Sequence, residues 1–249
     1  MLMGVRLDYV EVPLVDVLLR YSVVAIVVTA FAVGGVANSI NIIDGFNGLA
    51  DGVLIICFSM LGMISREVGD TQLVNLCILL ALSVAGFMIV NFPFGKIFMG
   101  DGGAYLMGFM LAWTAVLLPM RNPKVSPWAS ILVCGYPVVE TLFSMGRRTV
   151  LQTGAGNPDA AHLHSLIRGS VIERFFPQLP HYFRNAFVSP VCWTICTLFA
   201  APALLWYDST PKLILVLAGS MAFYVVMYYF VSVFKVAPCY NAASCRTQE

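Results

Sequence analysis

Leu73-Val-Asn-Leu-Cys-Ile-Leu-Leu-Ala-Leu-Ser-Val-Ala-Gly-Phe-Met-Ile-Val90 contains no charged side chain. A helix that crosses a bilayer needs about 20 mainly apolar residues, and this run fits that length. Comparable runs lie on either side, at Val17–Val36, Asp51–Ser65, Ala104–Leu118, Trp128–Met145, Val188–Leu205 and Leu213–Phe234. The pattern predicts an all-α, polytopic transmembrane helix bundle of about seven spans, with residues 1–249 forming a single transmembrane domain. Asp51–Ser65 is the most marginal of the runs. The longest polar stretch, residues 146–187, is expected to be a loop on one side of the membrane.

Composition points the same way. The chain of 249 residues is 59% hydrophobic and only 11% charged, whereas soluble domains carry roughly a quarter charged residues. So few charges cannot cover a soluble surface of this size, so lipid must be part of the solvent. The net charge of +1 supplies no global basic field for nucleic acid. The seven cysteines show no C-x-x-C pair, and five of them lie inside apolar runs. They read as small hydrophobes rather than as disulfides or metal ligands. The first apolar run lacks a convincing cleavage site, so it is not read as a removable signal peptide.

Threading seven spans alternately places residues 38–50, 91–103, 146–187 and the C-terminal tail on one side. Lys96, Arg147, Arg148, Arg168, Arg174, Arg184, Lys235 and Arg246 fall there. They slightly outnumber Arg6, Arg20, Arg66, Arg121, Lys124 and Lys212 on the other. The positive-inside rule makes the first side cytoplasmic.

Three polar segments fall on that side. In the first, Asn38, Asn41 and Asp44 recur every third residue and share one side of a helix end, and Gly45, Asn47 and Gly48 follow. Ionisable groups within spans are costly and mark functional sites, although capping at a membrane boundary is the plainer account of any one of these residues. The second is Asn91-Phe-Pro-Phe-Gly-Lys96-Ile-Phe-Met-Gly100-Asp101-Gly-Gly103. A carboxylate among glycines suits a hard cation such as Mg²⁺, which retains open positions for phosphate oxygens. Lys96 can meet a phosphate as a point charge. An ordinary acidic helix cap explains Asp101 equally well. The third pairs Arg147 and Arg148 with the stretch Gly156-Asn-Pro158-Asp159-Ala-Ala-His162-Leu-His164. The two imidazoles share a side only if this stretch is extended, and with no third nitrogen or sulfur ligand nearby a zinc site is disfavoured. The arginines read either as membrane-edge anchors or as a diphosphate clamp. Together the segments suit phosphoryl chemistry at the lipid edge.

The strings Asn38-x-x-Asn41-x-x-Asp44-Gly-x-x-Gly48-Leu-Ala50, Phe98-Met-Gly-Asp101-Gly-Gly103 and Pro158-Asp-x-x-His162-Leu-His164 resemble, in order and spacing, the polyprenyl-phosphate N-acetylhexosamine-1-phosphate transferases. The similarity runs from about Val33 to Ser170. It looks closer to the bacterial enzymes that start O-antigen or other surface polysaccharides than to the peptidoglycan translocase. The resemblance implies transfer of a sugar 1-phosphate from a UDP-N-acetylhexosamine to undecaprenyl phosphate. UMP is released, with Mg²⁺ or Mn²⁺ as cofactor, at the cytoplasmic face of a bacterial inner membrane. A homodimer is compatible with it. Asp101 and Asp44 match the metal-binding and catalytic aspartates. By the same resemblance Asn38 and Asn41 would line that centre, His162 and His164 would engage the donor, and Arg147 and Arg148 would meet its phosphates. Asn47 falls where many members carry an aspartate near the nucleotide.

The family's adjacent aspartate pair on an earlier loop has no counterpart, because the chain contains no Asp-Asp. Before the first span it offers only Asp8, Glu11 and Asp16, on the opposite side by the threading. The expectation is a family member represented by roughly its C-terminal two-thirds. The alternative is a non-catalytic relative that binds nucleotide or pairs with another membrane subunit. Transport would place charges within the spans, where Glu140, beside Pro137, is the main one and has no assigned role.

Overall fold

The computed structural model describes residues 5–150 and 161–236. Helices account for all of its regular structure among the described residues. In chain order they are α1 (Pro13–Leu19), α2 (Ser22–Ile43), α3 (Leu49–Glu67), α4 (Thr71–Asn91), α5 (Gly100–Arg121), α6 (Pro127–Val133), α7 (Gly135–Val150), α8 (Leu163–Ile167), α9 (Glu173–Phe175), α10 (His181–Leu205) and α11 (Thr210–Val236). A π-helical turn at Arg168–Ile172 joins α8 to α9. Six helices are long and apolar enough to cross a membrane, or seven where the bent pair of α6 and α7 is counted as one span.

Two expected spans need correction. The first does not begin at Val17, because α1 ends at Leu19 and a new helix starts at Ser22 and runs to Ile43. Asn38 and Asn41 therefore belong to the last turns of α2, and Asp44 is its C-cap. The expected span Trp128–Met145 is not one helix, since α6 and α7 meet at Cys134 with a bend of 72°. Pro137 has no N–H to offer the carbonyl of Val133, four residues back, so a hydrogen bond of the helix ladder is missing at the bend. The Cys57 thiol of α3 donates to the Val133 carbonyl at 3.3 Å and so supplies the missing partner. The expected loop at 146–187 also opens and closes within helix, since α7 continues to Val150 and α10 starts at His181.

The marginal hydropathy of the second span has a packing explanation. Within its most apolar stretch α3 is 61% buried inside the protein, against 22% for α4 and 17% for α11. It packs on α4 and α10, while α2 packs on α5 and α7. A helix enclosed by other helices need not be apolar all round, whereas those facing lipid must be. α4 and α11 accordingly present Ile78, Leu79, Leu82, Leu215, Val226 and Phe230 outward.

The two ends of the bundle are built differently. At one end, Asp70 caps α4 through the Leu73 N–H and pairs with Arg121 at 3.0 Å. At the same end Ser126 N–H donates to the Tyr207 carbonyl, and the Trp128 indole holds the Val10 carbonyl. These clasps join short turns. The opposite end gathers the α2–α3 and α4–α5 loops, the end of α7, and α8.

Candidate active site

Two loops at that second end are locked together by amides. α2 ends at Ile43, and Gly48 then adopts a left-handed conformation (φ 73°) at the N-cap of α3. The Phe92 ring and Cβ lie where a Gly48 side chain would stand, so only glycine fits both the backbone and the space. Asn91, at the end of α4, accepts a hydrogen bond from Gly48 N–H and donates one to the Ile97 carbonyl. Asn47 donates to the Pro93 carbonyl at 2.8 Å. From α10, Ser189 bonds the Asn47 carbonyl at 2.7 Å and the Trp193 indole bonds the Gly48 carbonyl at 3.1 Å. Asn47 is 3% exposed, so in this arrangement its amide ties the two loops rather than facing solvent.

This clasp sets two carboxylates beside each other. Gly100, with φ 63° at the start of α5, directs its N–H to the Asp44 carboxylate. Asp101 follows at the first turn of α5 and accepts a hydrogen bond from Asn41 Nδ2 at 3.0 Å. Burial pushes the Asp44 carboxyl up to about 6; the negative charge of Asp101 adds to this and the Gly100 N–H opposes it. Asn38, one turn before Asn41, is reached by the Tyr105 hydroxyl at 3.5 Å. The three-residue spacing of Asn38, Asn41 and Asp44 thus becomes a polar edge on α2 facing the start of α5. Lys96 is exposed, with its ammonium 5.8 Å from the centre of the Phe94 ring.

The histidines reach the same end from the other half of the chain. His162 is extended (φ −64°, ψ 150°) and α8 begins one residue later. That geometry stacks the rings of His162 and His164, with centroids 5.2 Å apart and planes 6° from parallel. His164 is buried and packs edge-on against Phe46, at 5.0 Å. Phe46 lies two residues beyond Asp44, so this contact joins the histidine loop to the first acidic loop. Arg147, near the end of α7, donates to the Ala161 carbonyl and, at 2.5 Å, to the Tyr228 hydroxyl. Arg148 is half-buried beside it. Pro158 and Asp159 lie outside the described residues.

The donors at the acidic pair are hard oxygens. No group of three or more histidine, cysteine, aspartate or glutamate side chains suited to a metal exists among the described residues. Asp44 and Asp101 alone fit a cation that keeps most of its water and takes further oxygens from a phosphate. Such a cation would also relieve the repulsion between the two carboxylates.

Trp193 and Tyr228 escape motif reading, because each acts across the fold rather than within a local pattern. Asn91 opens the second polar segment, but its bonds to Gly48 and Ile97 are not legible from that segment.

The fold and site define a multi-pass membrane protein with an acidic, amide-locked loop cluster at one end of its bundle. The model of glycosyl transferase family 4 matches residues 1–119, a region that holds both acidic loops. Over residues 1–119 the chain is similar to that family. It is 29% identical over 162 residues to a probable undecaprenyl-phosphate N-acetylglucosaminyl 1-phosphate transferase of Bacillus subtilis, covering 65% of this chain and 45% of that one. To the undecaprenyl-phosphate alpha-N-acetylglucosaminyl 1-phosphate transferase of Escherichia coli K12 it is 28% identical over 222 residues, covering 84% and 56%. A phospho-N-acetylmuramoyl-pentapeptide-transferase of Staphylococcus carnosus shows 34% over 117 residues, covering 47% and 36%. The chain spans about half the length of the first two of these relatives.

Proposed function

We propose that this chain carries the site of a sugar-1-phosphate transferase that moves an N-acetylhexosamine 1-phosphate from its UDP ester to undecaprenyl phosphate. In that reaction an oxygen of the lipid phosphate forms a bond to the β-phosphorus of the donor. The bond from that phosphorus to the bridging oxygen breaks, and UMP leaves with the electron pair. The product is a lipid-linked diphosphate sugar, the starting unit of a surface polysaccharide. The site would face the cytoplasm of the inner membrane, where the basic residues around Arg147 and Arg148 favour that side.

The supporting observation is the junction of Asp44, Asp101 and Asn41 with the stacked His162 and His164 through Phe46. Asp44 and Asp101 would hold Mg²⁺ or Mn²⁺, which when bound supplies charge neutralisation on the diphosphate. Asn38 and Asn41 orient that edge. Arg147, Arg148, Lys96 and the two histidines would meet the donor's phosphate oxygens by charge-assisted hydrogen bonds, which in a partly dry site are stronger than in water.

The test is release of UMP by the purified chain in lipid nanodiscs, with undecaprenyl phosphate, Mg²⁺ and a panel of UDP-N-acetylhexosamines. Release with at least one donor, abolished by Asp101→Asn, is expected. Folded protein that releases no UMP from any donor rejects the reading. Donor binding without turnover would favour a nucleotide-binding, non-catalytic relative instead.

A further inference from the structure

Glu140 lies in α7, three residues past the proline that breaks the span, and is 0% exposed. A carboxylate so placed is expensive unless its oxygens are fully engaged. Here every hydrogen-bond partner is a donor, and two of them come from one short segment. Oε1 accepts from His162 Nδ1 at 3.0 Å and from the backbone N–H of Leu163 at 3.1 Å. Oε2 accepts from the Tyr224 hydroxyl of α11 at 2.6 Å.

The grip is two-pointed. One oxygen fixes both the ring of His162 and the backbone next to it, while Tyr224 pins the other oxygen and so the carboxylate's rotation. A structural ion pair would not require ring and main chain to meet the same atom.

We propose, on the basis of the transferase reading above, that Glu140 is a positioning residue that sets the tautomer and orientation of His162 for engagement of the nucleotide-sugar diphosphate. A carboxylate only accepts hydrogen bonds, so the ring nitrogen facing it must carry the proton. His162 is thereby held as the Nδ1–H tautomer, with Ser144 Oγ also 3.0 Å from that nitrogen. Nε2 becomes the nitrogen that addresses the phosphates, donating its N–H when the ring is charged. His164 stacks on His162 with nearly parallel planes, so the orientation of the second ring follows from that of the first. The broken span acquires a purpose in this arrangement. The 72° bend between α6 and α7 changes the direction of α7 just before Glu140, on the stretch that leads to Ser144 and Arg147.

The protein has three histidines, so selective ¹⁵N-histidine labelling of the full chain in nanodiscs resolves the tautomer directly, with His162→Gln assigning the signal. The wild type is expected to show His162 protonated at Nδ1, and Glu140→Gln to shift it toward the Nε2–H form. An unchanged His162 spectrum in Glu140→Gln overturns the assignment. In the UMP-release assay, Glu140→Gln is expected to lower kcat/KM for the donor about 10- to 100-fold, the range of outer-shell partners of functional histidines. Added to His162→Gln, it should cost no more than about twofold, because its action runs through that ring. Additive losses overturn the proposal. If the wild type releases no UMP, the transferase reading fails while the ¹⁵N spectrum still decides the role of Glu140. Should Glu140→Gln not fold, Glu140→Asp withdraws the carboxylate by one methylene with its charge kept. The His162 tautomer shift and the loss of kcat/KM are then expected in that variant, and their absence overturns the proposal in the same way.

Discussion

Lowering the pH from 7 to 5 should strip a divalent cation from this protein, and the structure sets the size of the effect. Burial, reinforced by the charge of Asp101 and opposed by Gly100 N–H, pushes the Asp44 carboxyl up to about 6 in the cation-free protein. Asp44 is then about 90% ionised at pH 7 and about 10% ionised at pH 5. A cation must displace the proton, so its apparent affinity should fall about tenfold over that interval. The sign for folding is opposite. With the folded value above the unfolded one, the native state takes up a proton between about pH 4 and 6. The cation-free protein is therefore stabilised as pH falls through that window and loses this contribution as pH rises through about 6. Asp101→Asn removes the repelling charge and should move the midpoint of the binding curve downward, while Asp44→Asn should flatten it. Mn²⁺ titrations followed by electron paramagnetic resonance at pH 5, 6, 7 and 8 measure all three. An affinity that is unchanged between pH 5 and 7 in the wild type would refute the assignment of Asp44 as a ligand.

Other consequences follow from the amide clasp and the arginine. Asn91→Ala leaves the buried Gly48 N–H and the Ile97 carbonyl without the partner each now has. It should cost about 2–4 kcal/mol, read as a fall in Tm on the order of 10 °C. Asn91→Asp keeps the acceptor but not the donor, and should fall between wild type and alanine; equal Tm values for all three would contradict the clasp. Gly48→Ala combines a left-handed backbone with a Cβ 2.8 Å from the Phe92 ring. The backbone alone costs about 1–2 kcal/mol, so a melting curve within experimental error of wild type would be inconsistent with this turn. One nitrogen of Arg147, Nη1, donates to both the Ala161 carbonyl and the Tyr228 hydroxyl; Arg147→Lys keeps the charge but loses the planar guanidinium that would be offered to a diphosphate. The KM for the donor should rise about tenfold, on the order of one lost charge-assisted hydrogen bond. An unchanged KM would remove the arginine from the donor site.

The legible part of this protein was local. Apolar runs gave the helices because lipid contact demands unbroken hydrophobicity, and the spacing of Asn38, Asn41 and Asp44 was visible because one helix carries all three. The break at Cys134 was only half-legible. Pro137 stands in the sequence, but the thiol that takes over the Val133 carbonyl comes from Cys57, on another helix. The stacking of His162 on His164 depended on an extended residue followed directly by a helix start, which H-x-H spacing alone leaves open. Glu140 was visible as a lone buried charge and nothing more, since its partners lie 22 residues away at His162 and 84 away at Tyr224. Asn47 carries a motif-based expectation of a ligand contact, and its burial and bond to Pro93 add a role in joining loops that the motif does not spell out.

The most direct measurement is an experimental structure of the chain in nanodiscs with Mn²⁺ and a UDP-N-acetylhexosamine. It should show manganese bound by oxygens of Asp44 and Asp101, with the donor's diphosphate reaching from that ion to the His162 loop. Manganese on other residues, or the nucleotide at the end of the bundle held by Asp70 and Arg121, would contradict the account.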